Sequence, residues 1–230
     1  MTTQATRTNN AISLKGSTKI VTEFFEYSVN SILYQRNVYP ADDFRMVKKY
    51  GLPMLITSDE SLKAYLDTIL KQVHAWLMSN TINRLVLAIT SKETLETLER
   101  WQFDIIREDD PDPDTDTVSS STVPQGSSIN GLQPGAAKPK EKTEKEVQGE
   151  IREIMKQITA SVTFLPTLEE ECSFTLLAYT STSDPLPLPE KWNDADPHLI
   201  DKGKVEQVRL RSFSTNVHKM EAMVAYKISE

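Results

Sequence analysis

The residues able to do acid–base, nucleophilic or metal chemistry are few and scattered along this chain of 230 residues. Its three histidines, His74, His198 and His218, are too far apart in sequence to predict a metal pair. The only cysteine, Cys172, excludes an intramolecular disulfide and every multi-cysteine zinc site. It lies in the alternating stretch ECSFTLLAY, which favours a reduced core thiol over a nucleophile. The sequence has no HExxH, no GxSxG and no glycine-rich phosphate loop, so we expect neither an enzyme nor a cofactor.

A cluster of aspartates, DDPDPDTD, is the remaining candidate for metal chemistry. It lacks the glycine and terminal glutamate of an EF-hand, and prolines interrupt it, so a solvated acidic linker is favoured. The cluster opens the segment 108–142, which is rich in Pro, Ser, Asp and Gly. Such a composition cannot bury enough apolar surface to offset chain ordering, and we expect a disordered loop insertion.

Charge and hydropathy exclude further classes of protein. The formal net charge is −7, whereas domains that track nucleic-acid phosphates are basic, so we expect no nucleic-acid binding. No apolar run reaches the roughly 20 residues that span a bilayer, so we expect no membrane insertion. Residues 1–11 are polar, which predicts a flexible tail without a secretory signal. We expect a protein of the nucleus and cytoplasm.

The elements that must position any site begin with three amphipathic helices, predicted from apolar residues at spacings of three and four. The first follows Ser17, a candidate N-cap. The second follows TSDE, where Thr57 and Glu60 have capping-box spacing, and it stops near Asn80. The third carries an apolar stripe over residues 147–162.

Strand patterns separate and follow these helices. RLVLAI predicts a strand buried on both faces, ERWQFDI a half-buried strand, and SFTLLAYT a third strand. This order of elements predicts an α+β fold, with three helices packed on one face of a largely antiparallel sheet. Trp192 lies in the polar stretch LPEKW, where it either staples the loop or covers something bound; the staple is the favoured interpretation.

The C-terminal stretch VRLRSFSTNVHKMEAMVAYKI predicts a hairpin that turns near His218. Its second strand alternates cleanly, but Val208 and Leu210 of the first strand are out of phase with Phe213 and Val217. A bulge near Ser212 reconciles the two halves. The alternative is a weakly specified register, which permits more than one pairing.

Several long stretches of this chain together resemble one family. FFEYSVNSILYQRNVYP, KKYGLPML, ERWQFDI, KQITASVTFLP, LPEKW and the C-terminal hairpin, in this order, resemble the HORMA-domain spindle assembly checkpoint family called mitotic arrest deficient two. The resemblance runs from about Ile12 to Ile228 and is interrupted only by the 108–142 insertion. It implies a single HORMA domain over residues 1–230, without catalytic activity and with two folded states, open and closed.

The resemblance also implies a binding edge and a mobile hairpin, called the safety belt, over residues 181–230. The belt pairs with the strand 173–180 in the open state, and beside the strand of Trp101 and Phe103 in the closed state. The freed edge then accepts a partner's closure peptide as an added strand, under the belt. The edge residues implied are Ser173, Phe174, Thr175, Leu176, Leu177, Ala178 and Tyr179. The belt residues implied are Trp192, Val208, Leu210, Phe213, Val217, Val224 and Tyr226.

The partners implied are the coiled-coil kinetochore protein mitotic arrest deficient one, the anaphase-promoting complex activator and other subunits of the mitotic checkpoint complex, which delays anaphase. An open–closed self-dimer uses Lys156, Gln157 and Phe164, and Leu14 sets the balance of states. The family carries arginine where this chain has Lys156, which predicts weaker or rearranged self-association. An AAA+ remodeller with a HORMA-type adaptor reopens the closed form. The locations implied are unattached kinetochores in mitosis and the nuclear envelope in interphase.

Two other functions compete with this interpretation. A HORMA adaptor subunit of a translesion DNA polymerase would use the same belt on a different peptide, but KQITASVTFLP and the C-terminal hairpin fit the checkpoint family better. An unrelated α+β hydrolase is the alternative from another class, and no motif in the sequence supports it.

Overall fold

A computed structural model of the chain describes residues 12–108, 142–181, 189, 192–200 and 203–228. The predicted tail 1–11, all but the two ends of the predicted insertion 108–142, and parts of the predicted belt 181–230 lie outside the described residues. The helices are α1 (Leu14–Gln35), α2 (Glu60–Met78) and α3 (Glu144–Ala160). The strands are β1 (Phe44–Lys49), β2 (Leu52–Thr57), β3 (Ile82–Ser91), β4 (Thr97–Arg107), β5 (Cys172–Thr180), β6 (Val205–Arg209), β7 (Phe213–Ser214) and β8 (His218–Lys227).

The main sheet has the strand order β5–β3–β4–β8–β6, with β7 also paired to β8, and every neighbour is antiparallel. Strands β1 and β2 form a separate hairpin that was not predicted from the sequence. The predicted α+β fold, with three helices on a largely antiparallel sheet, is confirmed. Strand β3 is central, and its buried run 85–89 confirms the prediction of a strand covered on both faces.

Helix α1 forms the centre of the core, because its apolar stripe packs against the sheet. The Phe24 ring lies edge-on to Phe103 of β4, with centroids 5.8 Å apart, and to Phe213 of β7, with centroids 5.0 Å apart. Both contacts have the T-shaped geometry that aromatic pairs prefer. Helix α1 therefore packs against both strand β4, inside the sheet, and strand β7 near the C-terminus.

The predicted N-cap of α1 is wrong. The helix begins at Leu14, one turn earlier than expected, and the Ser13 side chain caps it by accepting a hydrogen bond from the Gly16 N–H (3.2 Å). Ser17 lies inside the helix and is fully buried. Its hydroxyl is hydrogen-bonded to Thr215 and His218 near the C-terminus. A tertiary role thus replaces the local role that the sequence suggested.

The predicted capping box of α2 is also wrong. Asp59, rather than Thr57, is the N-cap, and its side chain accepts from the Leu62 N–H at 2.6 Å. Thr57 ends β2, and its hydroxyl accepts from the Asp59 N–H at 3.1 Å. At the other end, Asn80 follows the C-cap with a left-handed φ of 56°, so the predicted stop is confirmed.

The C-terminal ribbon, defined here as β6, β7 and β8, contains the predicted bulge. Val208 pairs with Val224, whereas Phe213 pairs with Met220, so one extra residue lies on the β6–β7 side between them. The other side of β8 pairs with β4 over residues 218–226, and Trp101 lies opposite Val224. This is the pairing that the family resemblance assigns to the closed state.

Candidate functional site

Strand β5 lies at one edge of the main sheet, and its backbone polarity can be derived from the flanking hydrogen bonds. The Lys92 N–H donates to the Glu171 carbonyl at 2.9 Å, and the Ser181 N–H donates to the Thr81 carbonyl at 2.8 Å. Because backbone direction alternates along a strand, odd-numbered residues face β3 throughout. Within the described part of the chain no strand pairs with the other side of β5. Its outward N–H and C=O groups belong to Phe174, Leu176, Ala178 and Thr180.

A hollow of about 290 Å³ lies beside this edge. It is lined by residues 176–180, by Trp76 of α2 and by the belt residues 192–197. The rings of Trp76 and Trp192 meet edge-on, with centroids 4.7 Å apart. Trp192 thus packs on α2, as the staple interpretation expects, and it also forms a wall of the hollow.

From this hollow the belt crosses the end of the sheet. A second hollow, of about 250 Å³, is lined by belt residues Asp196, His198 and Leu199, by residues 95 and 96 of the β3–β4 turn, by Thr97 of β4 and by Lys227 of β8. The Asp196 carboxylate accepts from the His198 N–H at 2.7 Å, and the Lys227 ammonium contacts the Glu96 carboxylate at 2.7 Å. The belt thus passes from the β5 edge to the side of the sheet where the C-terminal ribbon lies.

The ribbon is anchored to α1 by buried polar contacts. The Ser17 hydroxyl lies 2.5 Å from the Thr215 hydroxyl and 2.7 Å from His218 Nδ1. Burial, together with the nearby charge of Arg107, lowers the pKa of His218 to about 4. His218 is therefore neutral at physiological pH, as its packing between α1 and the ribbon requires.

The predicted belt residues occupy both sides of the sheet. Only Trp192 lies at the β5 edge. The other six belong to the ribbon beyond β4: Val208 in β6, Leu210 in the bulge, Phe213 in β7, Val217 in the turn, and Val224 and Tyr226 in β8. The Tyr226 hydroxyl donates to Glu206 at 2.8 Å, which joins β8 to β6. These six position the belt rather than line the hollow.

All of the predicted edge residues lie in β5, but they divide into two sets. Phe174, Leu176 and Ala178 direct their backbone groups outward, as derived above. The others direct theirs at β3: Ser173, Thr175, Leu177 and Tyr179. The Tyr179 ring is flanked by two guanidinium groups, Arg84 at 5.6 Å and Arg100 at 5.9 Å from its centroid.

The residues predicted for self-association lie around the end of α3. The Lys156 ammonium contacts Glu153 at 2.8 Å, and the Gln157 side-chain Oε1 accepts from the Arg211 backbone N–H at 2.7 Å. Phe164 follows the helix and is 43% exposed, which is high for a phenylalanine. Leu14, predicted to balance the two states, is the half-buried first residue of α1.

Two residues of α2 beside the edge were not predicted as site residues. Trp76 is a buried core residue, 9% exposed, and its ring also lines the hollow. Tyr65 contacts the Phe174 ring, with centroids 5.8 Å apart. The two are eleven residues apart, close to three helical turns, so they share one face of α2. The spacing of the two residues can be read from the sequence, but the sequence does not show that this face of α2 lies beside β5.

Little in the described residues supports catalysis. Cys172 is half-buried rather than a full core residue, and burial with the nearby Glu170 raises the pKa of its thiol, which disfavours a nucleophilic thiolate. Within residues 12–108, 142–181 and the described parts beyond, no group of three or more His, Cys, Asp or Glu could hold a metal ion. In the same ranges, no helix has the length and hydropathy to cross a bilayer.

Comparison with known proteins shows where this architecture belongs. A family model described as HORMA domain matches residues 17–218. The mitotic spindle assembly checkpoint protein MAD2A of Dictyostelium discoideum is 50% identical, over 98% of this chain and 97% of that protein. The human protein of the same description is 45% identical, over 94% and 93%.

Solved structures agree with these relatives. A chain in the crystal structure of a mitotic checkpoint complex is 43% identical, with a TM-score of 0.74, over 93% of this chain and 99% of that one. The C. elegans protein HTP-1 bound to the HIM-3 closure motif has a TM-score of 0.71 at 14% identity, over 96% and 94%, which shows the fold alone. The chain therefore belongs to the HORMA-domain family and, within it, to the MAD2 mitotic spindle checkpoint proteins.

Proposed function

We propose that this protein binds a partner by β-augmentation, in which an extended peptide pairs with the outer edge of β5. The observation that carries the proposal is the outward backbone of that edge, from Phe174 to Thr180, beside the hollow walled by Trp76 and Trp192. Main-chain hydrogen bonds supply affinity in this mode, and the side-chain hollow adds selectivity. Catalysis has no part in the proposal, and the relatives are checkpoint proteins.

The belt explains how such a peptide is retained. A strand on β5 would lie between that strand and the belt, which runs from Trp192 across the sheet end to the ribbon. Release then requires the belt to detach, so slow dissociation rather than fast association dominates the affinity.

The partners proposed are two proteins with closure peptides, mitotic arrest deficient one and the anaphase-promoting complex activator. Bound to them, the protein acts in the mitotic checkpoint complex and delays anaphase. We place it at unattached kinetochores in mitosis and at the nuclear envelope in interphase. An AAA+ remodeller with a HORMA-type adaptor returns it to the open state.

The proposed switch moves the ribbon between the two edges of the sheet. Reversing a 1:99 population needs roughly 5.5 kcal/mol of differential binding, which a peptide strand with buried anchors can supply. We assign self-association of the two states to the surface of Lys156, Gln157 and Phe164. Because Gln157 bonds Arg211 in the bulge, that surface is coupled to the position of the ribbon.

Limited proteolysis with and without peptide tests the proposal. The probe is a synthetic peptide that spans the closure motif of mitotic arrest deficient one. We expect cleavage within residues 181–200, which precede the paired ribbon, to be suppressed only when the peptide is present. Equal cleavage in both samples contradicts the belt. Preference for a polymerase-type peptide instead would support the translesion adaptor.

The proposed role of Leu14 is tested separately. Leu14→Ala removes contacts at the start of α1 and is expected to bias the protein toward the closed state. Ion-exchange chromatography separates the two states, and a variant that elutes only in the open form contradicts this assignment.

A further inference from the structure

Three buried polar side chains join the start of helix α1 to the turn between β7 and β8. The Ser17 hydroxyl lies 2.5 Å from the Thr215 hydroxyl and 2.7 Å from His218 Nδ1. Each of these residues is at most 1% exposed. They are 198 and 201 residues apart in sequence, so the contacts join the two ends of the domain. We call this set of three residues the polar latch.

Ser17 is the member of the polar latch on which the other two depend. A serine hydroxyl donates one hydrogen bond and can also accept, so Ser17 donates to one partner and accepts from the other. His218 Nε2 makes no hydrogen bond within the described residues, and Ser17 is therefore the side chain that satisfies the imidazole in this part of the chain. An apolar residue at position 17 would leave a buried nitrogen without that partner, which costs more than the bond itself contributes.

The turn that carries Thr215 and His218 is fixed by its own hydrogen bonds. The Thr215 N–H donates to the His218 carbonyl at 3.0 Å, and the His218 N–H donates to the Thr215 hydroxyl at 3.0 Å. His218 also begins β8, where it lies opposite Arg107 of β4. Because side chains alternate along a strand, a slip of β8 by one residue would turn His218 away from Ser17. The polar latch therefore forms in one register of the ribbon against β4.

The proposed switch between the two edges of the sheet would break the polar latch. A move of β8 to the outer side of β5 passes β4, β3 and β5, which is four strand spacings. At about 4.8 Å between neighbouring strands, His218 would travel about 19 Å. Ser17 belongs to α1, and its hydrogen bond to His218 would not survive this displacement. The polar latch thus stabilises the arrangement in which the ribbon lies beside β4 and not the alternative.

We propose that Ser17 is a positioning residue of the peptide-binding edge: through Thr215 and His218 it holds the ribbon beside β4 and so keeps the outer edge of β5 open to the peptide. This inference rests on the proposed peptide-binding function. Apolar contacts of the ribbon can form again on another apolar surface, whereas the polar latch needs matched donors and acceptors. Leaving a buried polar group unpaired changes an equilibrium about 5- to 150-fold, and we expect Ser17 to shift the ratio of the two states by a factor in this range.

Ser17→Ala tests the proposal, and Ser28→Ala is the matched control. Ser28 is also fully buried in α1, but its hydroxyl contacts the Met155 sulfur of α3 at 3.6 Å, which does not involve the ribbon. The first measurement is the ratio of the two states after equilibration without peptide, by ion-exchange chromatography. The second is the dissociation constant of a labelled synthetic peptide that spans the closure motif of mitotic arrest deficient one, by fluorescence anisotropy.

Ser17→Ala should disfavour the state with the ribbon beside β4 about 5- to 150-fold. If the unsubstituted protein rests mainly in that state, the change appears in the chromatogram. If it rests in the other state, the dissociation constant rises by the same factor, because apparent affinity falls with the population of the competent state. Ser28→Ala should change neither quantity. A Ser17→Ala variant in which neither quantity changes, or in which the ratio moves the other way, overturns the proposal.

A double-mutant cycle separates the polar latch from the proposed function. Ser17→Ala, Thr215→Val and the double variant are unfolded in urea without peptide, and Thr215→Val replaces a hydroxyl by a methyl group. Residues that share a hydrogen bond are not independent, so the double variant should lose less stability than the two single losses combined. Additive losses overturn the polar latch. If the unsubstituted protein binds no closure peptide, the proposed function fails, and this cycle still decides whether Ser17 and Thr215 are coupled.

Discussion

The two sides of the main sheet are held by different kinds of contact. On the side of β4, the ribbon pairs through β8 along nine registered positions, inserts Phe213 beside Phe24, and buries His218 against Ser17. On the side of β5, the described belt residues 192–200 form no ladder, and the contact between Trp192 and Trp76 joins them to the helices. In the described residues, one side is joined by a strand ladder and core packing, whereas residues 192–200 are joined to the other side by the Trp76–Trp192 contact.

This difference indicates which contacts must change in a conformational switch. A ribbon that leaves β4 loses a full ladder and several core contacts at once, which makes the change cooperative and slow. A belt that leaves β5 loses, among the described residues 192–200, the Trp76–Trp192 pair and no strand ladder, so this part can open locally. Among the described residues the proposed binding edge is thus covered by the weaker contact, while the proposed switch between states would have to break the stronger one.

The largest effect is expected from a substitution on the β4 side of the sheet, where the ribbon packs into the core. Phe213→Ala removes a ring that is 1% exposed and contacts Phe24, and such truncations cost about 3–5 kcal/mol. We expect that loss in the free energy of unfolding, measured by urea denaturation. Phe164→Ala, at a 43% exposed ring, is the matched control and should lose about 1 kcal/mol or less. Similar losses in the two variants would contradict the view that Phe213 anchors the ribbon.

The next effect is a pH dependence on the same side. His218 has a pKa of about 4 in the folded protein, below its ordinary value of 6.5. Between these two pH values the unfolded chain binds a proton at His218 and the folded protein does not. Its contribution to stability is complete above pH 6.5 and is lost as the pH falls toward 4, on the order of 3 kcal/mol in total. His218→Asn keeps an amide near Ser17 and removes the titration. Its free energy of unfolding should therefore fall less between pH 7 and 5, and an equal fall in both proteins would contradict this origin.

The sequence predicted the β4 side of the sheet, where the ribbon pairs, better than the β5 side, where the belt lies. The alternation in β8 and the phase change between Leu210 and Phe213 specify one register with one bulge, because a strand with a buried face tolerates no other. Helix starts were less certain, since Ser13 and Ser17 are both capping residues one turn apart and only tertiary contacts decide between them. The contact between Trp76 and Trp192 could not be predicted, because Trp192 comes from a segment with no periodicity.

A smaller effect is expected from a substitution in the belt, on the β5 side of the sheet. Trp192→Ala removes the ring that closes the hollow and leaves the ribbon ladder intact. Loss of an aromatic pair of this kind is worth about 1–2 kcal/mol, so a bound closure peptide should dissociate about ten-fold faster. Leu199→Ala, at an exposed belt position away from this hollow, is the control. Stopped-flow displacement measures the rates, and equal rates for the two variants would contradict a role for Trp192 in retention.

The smallest expected effect on stability concerns the α3 surface, which contacts the ribbon through Gln157 and Arg211. Lys156→Glu places a second carboxylate beside Glu153 at an exposed position, and surface ion pairs contribute about 0.5 kcal/mol. The free energy of unfolding should hardly change. We expect self-association to be lost, because the substitution reverses the charge at a position that we assign to the association surface. Sedimentation velocity at micromolar concentration measures the dimer, with Lys48→Glu on β1 as the control for net charge. A dimer that survives in Lys156→Glu removes this residue from the association surface, and Gln157, which also bonds the ribbon, becomes the position to test.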